Sequence, residues 1–114
     1  MSLIPIGILV SSDRAAAGIY EDKGGPGIES YLAEVLTTPW RGVKRIVPDD
    51  REFLEASLID LADVENCPLI LTTGGTGPAP RDVIPEATMA VCHRLLPGFG
   101  EAMRMASLKE VPTA

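Results

Sequence analysis

The stretch Thr72-Thr73-Gly74-Gly75-Thr76-Gly77-Pro78-Ala79-Pro80-Arg81-Asp82 concentrates residue types that bind an anion. Glycine lets the backbone adopt positive φ and come close to a ligand. Its N–H groups can then point at a negative charge, helped by the start of a following helix. The hydroxyls of Thr73 and Thr76 add donors. Arg81 either binds phosphate or stays solvated, and its place in the loop favours phosphate. A bare strand-to-helix turn does not require three glycines, three threonines and a Pro-x-Pro-Arg-Asp tail. A phosphate-bearing ligand accounts for them. The loop lacks the Gly-Lys-Ser/Thr of a P-loop and the G-x-G-x-x-G of a dinucleotide fold, so both of those readings are excluded.

Three aspartates stand near strand ends. Asp49 and Asp82 can each cap a helix N-terminus, or together hold Mg²⁺ beside the phosphate loop. Asp13 can form a turn or line the same site. His93 is the only histidine. It falls near a helix end, where a positive charge is welcome, and no Ser/His/Asp or Cys/His set accompanies it. Cys67 and Cys92 belong to no metal-binding pattern and read as buried free thiols of a reducing compartment.

The elements that must position these residues follow from hydrophobic spacing. Ile4 to Val10 is a nearly continuous apolar run, as in a strand buried on both faces. The loop from Asp13 to Gly27 is long, and long ordered loops are often functional. Pro26 opens a helix with Ile28, Tyr31, Leu32, Val35 and Leu36 on one face. Trp40 sits in a linker against the sheet edge. Val43, Ile46 and Val47 form a second strand. Asp49, with Glu52 three residues on, starts a helix that buries Leu54, Leu58 and Leu61. Leu69 to Leu71 is a third strand, and Asp82 begins a helix with Val83, Ala87, Ala90 and Val91 inward. A last helix carries Phe99, Ala102, Met103 and Ala106, and Met89, Met103 and Met105 fill the core.

This alternation predicts an α/β fold, a three-layer domain with a mainly parallel sheet and helices on both faces. Ligands of such sheets bind beyond the carboxyl ends of the strands. The loops starting at Ser11, Pro48 and Thr72 should therefore meet on one edge.

One domain suits 114 residues. Only 4% of them are aromatic, so the core must be aliphatic. A net charge of −6 disfavours nucleic acid as a partner. No apolar run is long enough to span a membrane and the N-terminus lacks a signal-peptide pattern, so a cytoplasmic location is expected. Three strands are few for an open sheet, and further elements are expected to complete the domain.

The run Leu69 to Val83 resembles the signature of the molybdenum cofactor biosynthesis family. Ser12 to Gly24, Val47-Pro48-Asp49-Asp50 and Pro97-Gly98-Phe99-Gly100-Glu101 agree with it in order and spacing. The first of these is most similar to the bacterial molybdopterin adenylyltransferase branch. The resemblance implies a Mg²⁺-assisted nucleotidyltransferase that joins ATP to molybdopterin and releases pyrophosphate. It implies a homotrimer that passes its product to the molybdenum insertase. By position, Asp49 and Asp82 match the family's essential acidic residues, serving catalysis and the metal. Gly74, Gly75, Thr76 and Gly77 match its phosphate loop, Asp13 a residue lining the site, and Ser107 one associated with molybdopterin. Family domains continue beyond the equivalent of Ala114. A non-catalytic molybdopterin-binding or scaffold module of the same fold is the alternative.

Overall fold

The parallel sheet is built on its first strand. In the computed structural model, which describes residues 3–19 and 21–112, β1 (Ile4–Ser11) lies between β2 (Trp40–Val47) and β3 (Leu69–Thr73). Both pairings are parallel, and Ser11 pairs with Val47 while Val10 pairs with Thr73. The three strands therefore end together. Tyr20, in the first stretch of the family resemblance, and the terminal Thr113 and Ala114 lie outside the described residues.

Strand alternation sends β1 side chains to opposite faces. Ile6 and Ile8 meet Leu32 of α2 (Gly24–Val35) on one face. Leu9 meets Leu54 and Leu58 of α3 (Arg51–Ile59) and Ile84 and Ala87 of α4 (Ile84–Val91) on the other. Helices thus cover both faces of the sheet, giving three layers. The largest fully buried side chains are Ile8, Leu9, Leu54 and Leu61, so the core is aliphatic. Each is worth about 1.5–3 kcal/mol on burial.

Several expectations shift. β2 begins at Trp40 rather than Val43, so Trp40 is a strand residue packed against the α2-side core. A short helix, α1 (Asp13–Ala16), with Ser12 as its cap, interrupts the long loop after β1. Helix α3 runs on into a π-helical turn, Asp60–Val64, that keeps Leu61 in the core. Of the apolar face expected on α2 only Leu32 is fully buried, while Tyr31, Val35 and Leu36 are exposed. Cys67 is buried but Cys92 is exposed, because α4 ends one residue before it.

The last helix, α5 (Pro97–Glu110), departs most. It has no buried residue, and no other element packs extensively against it. Phe99, Met103 and Met105 are exposed, as is Met89 on α4, so these three methionines do not fill the core. A Cα radius of gyration of 14.7 Å reflects the projecting helix; a compact domain of this length has roughly 13 Å.

Candidate functional site

The carboxyl ends of the three strands frame a cleft of about 300 Å³. Ser11 and Ser12 supply it from β1, Asp49 from the β2 loop, and Thr73, Gly74 and Gly75 from β3. The fourth wall is Asp22-Lys23-Gly24 at the start of α2.

Gly74 and Gly75 both have positive φ, +84° and +66°. A Cβ at Gly74 would overlap the Ser11 carbonyl oxygen, and one at Gly75 would come 2.9 Å from Ser11 Oγ. These glycines are needed so that the loop can press onto the end of β1. Gly77 does not share the positive φ; a Cβ there would meet Asp82 Oδ2 at 2.7 Å.

Asp49 does not cap α3. Asp50 does, accepting from the N–H groups of Glu52 and Phe53. Asp49 turns to the strand ends instead. Its Oδ1 accepts from Ser11 Oγ at 2.5 Å and its Oδ2 from the Asp13 N–H at 3.1 Å. The Asp49 N–H in turn donates to Asp13 Oδ1 at 2.9 Å. This exchange ties the loops after β1 and β2 together. Ser11, 2% exposed, is the only polar residue among the described residues that is buried.

Asp13 also receives two bonds from Arg81, Nε to Oδ2 at 2.9 Å and Nη2 to Oδ1 at 2.6 Å. The guanidinium, together with the Asp49 N–H, holds the Asp13 carboxyl below its usual range, and Asp13 raises Arg81 in return. Arg81 therefore braces the loop after β3 against α1. Asp82 lies two residues before α4, whose cap position is Val83. It does not cap the helix; its Oδ2 accepts the Ala79 N–H at 3.2 Å and folds the loop on itself.

The structure brings Asp13, Asp49, Thr73, Gly74, Gly75 and Arg81 into one contiguous network of loops. Thr76 and Gly77 continue the β3 loop outside the cleft wall and are exposed. Ser107 is not brought to the site; it stands exposed on α5. His93 lies beyond the end of α4, exposed, in a separate groove with Cys92 and Leu58.

Among the described residues no three His, Cys, Asp or Glu side chains converge to hold a metal. The donors present suit a Mg²⁺ that arrives with phosphates, since this ion keeps waters and takes only one or two protein carboxylates. Of the two aspartates expected to hold it, Asp49 lines the cleft and Asp82 does not.

The residues from Asp22 to Gly24 are the part that the spacing of strands does not announce. Their signal is Gly24-Gly25-Pro26, a helix start that follows a long loop, with the Gly25 N–H taken by Asp22 Oδ1.

Comparison with known proteins bears on the family and the fold. Residues 7–114 match the family model described as "Probable molybdopterin binding domain". Over 114 residues the chain is 55% identical to the molybdopterin adenylyltransferase of Helicobacter pylori (strain ATCC 700392 / 26695), covering all of this chain and 65% of that protein. It is 52% identical to that of Escherichia coli (strain K12), of which it covers 58%. The chain thus spans about three fifths of the length of these curated relatives. Among solved structures, the molybdopterin biosynthesis enzyme MoaB of Thermus thermophilus superposes with a TM-score of 0.80 at 38% identity, over 90% of this chain and 64% of that one. The tungsten cofactor synthesizing protein MoaB of Pyrococcus furiosus gives 0.81 at 33% identity, over 97% and 66%.

Proposed function

The chain belongs to the molybdopterin-binding-domain family of molybdenum cofactor biosynthesis, and on that premise we propose that it adenylates molybdopterin with MgATP. In this reaction a terminal phosphate oxygen of molybdopterin attacks the α-phosphorus of ATP. The α–β P–O bond breaks, pyrophosphate leaves with the electron pair, and adenylated molybdopterin remains. The observation that carries the reading is the cleft itself, where the glycine loop after β3 faces Asp49 and the start of α2.

No nucleophilic side chain is required, because phosphate supplies the nucleophile. The protein's task is to position the two substrates and offset charge. The backbone of Gly74 and Gly75 with Thr73 receives phosphate oxygens, and Lys23 supplies a cation at the wall. Asp49 and Asp82 would hold Mg²⁺, which would offset charge on the phosphates. Asp13 and Arg81 keep Asp49 and the loop in register. A homotrimer that hands its product to the molybdenum insertase belongs to the same proposal, as does a pocket completed by further elements.

The second reading, a module that binds molybdopterin without transfer, is favoured by the family description, which names binding alone. The two separate on pyrophosphate release from molybdopterin and MgATP. Release by the wild type, abolished in Asp82→Ala at unchanged circular dichroism, supports transfer. Molybdopterin binding with no pyrophosphate supports the module.

A further inference from the structure

The central strand of the sheet ends on a polar residue that the proposed chemistry does not use. β1 is buried from Ile6 to Val10, and Ser11 continues that burial. A buried hydroxyl costs free energy unless it is hydrogen-bonded. Serines often meet this need with a nearby backbone group. Ser11 instead reaches a residue 38 positions along the chain, donating to Asp49 Oδ1 at 2.5 Å. Both residues line the cleft. Gly75 closes over the hydroxyl: a Cβ there would fall 2.9 Å from Ser11 Oγ and 3.3 Å from Ser11 Cβ. The donor is therefore confined between the end of β1 and the glycine loop.

Nothing in an aspartate itself fixes the plane of its carboxylate, because its last torsion is broad. Asp49 stands in the short loop between β2 and α3, where Asp50 does the capping. Two donors hold its carboxylate by different oxygens, Ser11 Oγ on Oδ1 and the Asp13 N–H on Oδ2 at 3.1 Å. Together they stop the group from turning; either alone would leave it a pivot. Each carboxylate oxygen offers about two acceptor sites, so each keeps one for a ligand in the cleft. Mg²⁺ demands near-ideal octahedral geometry, so a carboxylate that meets it must hold its plane. Partners that hydrogen-bond a metal's ligands are worth roughly 10–100-fold in metal affinity.

We propose that Ser11 is a positioning residue whose hydroxyl fixes the plane of the Asp49 carboxylate for the divalent cation that accompanies the phosphates. The inference rests on the metal role proposed for Asp49 and adds to it that the end of β1 sets how tightly the cation is held. Ser11 acts through Asp49 and not on the phosphates.

The test uses Mn²⁺ as the probe, read by loss of its free-ion paramagnetic resonance signal in the presence of ADP, less the Mn²⁺ that ADP binds alone. Beside it, calorimetry gives ADP affinity in EDTA, and pyrophosphate release is followed against Mg²⁺ concentration. The proteins are the wild type, Ser11→Ala, Ser11→Thr, Asp49→Asn and the Ser11→Ala/Asp49→Asn double variant. Ser11→Ala removes one oxygen, and Asp49 is partly exposed to water, so the fold should survive; circular dichroism checks it. We expect Ser11→Ala to weaken Mn²⁺ about tenfold and to raise the Mg²⁺ needed for half-maximal release by a similar factor. Its metal-free ADP affinity should be unchanged. Ser11→Thr, which keeps the hydroxyl, should restore most of the loss, and Ser11→Ala should cost nothing further in Asp49→Asn. Unchanged Mn²⁺ affinity in folded Ser11→Ala overturns the inference. So does an equal loss of ADP with and without metal, which would tie the hydroxyl to the glycine loop instead. A wild type that takes up Mn²⁺ with ADP but releases no pyrophosphate overturns the transfer reading, and the Mn²⁺ titrations still decide the inference.

Discussion

Asp49 and Asp50 are neighbours with different tasks. Asp50 satisfies two N–H groups of α3, while Asp49 binds Ser11 and Asp13 at the strand ends. Asp50→Ala should therefore cost about 1 kcal/mol of stability, as a lost cap does, with little change in pyrophosphate release. Asp49→Asn should keep most of the stability and lose the release. Denaturant melts beside the release assay separate the two. Glycines divide similarly. Gly74 and Gly18 both have positive φ, but only Gly74 meets backbone within contact distance. Gly18→Ala should cost about 1 kcal/mol for its backbone conformation alone, and Gly74→Ala distinctly more, read from denaturant midpoints. The Asp13–Arg81 pair predicts a pH dependence. The Asp13 carboxyl is depressed, so the stability it contributes is present above its unfolded value of about 3.9 and is lost as pH falls through its folded value. The stability gap between wild type and Arg81→Gln should stay level from neutral pH to about 4 and narrow below it. A gap that widens on acidification would refute this assignment.

At the scale of elements, the sheet was legible because continuous apolar runs such as Ile4 to Val10 leave little alternative to a buried parallel strand. The gathering of three loops followed from that topology. Cap positions were not legible. Asp49, Asp50 and Asp82 are chemically alike, and one residue of helix offset decides which one caps. The loop holding Asp22 to Gly24 stood out by its length, but its place as a cleft wall did not, since that depends on where α2 packs. The amphipathic spacing of α5 argued for burial, yet spacing says only that a face is apolar, not what covers it. Amides of α5 should exchange with deuterium far faster than those of β1, because few contacts protect them. Slow exchange along α5, read by mass spectrometry, would show that a partner or a further segment covers Phe99 and Met103.

For the whole molecule, both faces of the sheet are covered and its carboxyl edge is open, so the ligand edge is where polar residues collect. Among the described residues no helix is long and apolar enough to cross a membrane. The proposed function names the chemistry to ask about, and the cleft states where to look for it. The most direct measurement follows the adenylyl group itself, using ATP labelled at the α-phosphate with molybdopterin and Mg²⁺. The account predicts label in a molybdopterin adduct, formed with equal pyrophosphate and absent with Asp82→Ala. Label that stays in ATP, while molybdopterin is bound, would contradict it.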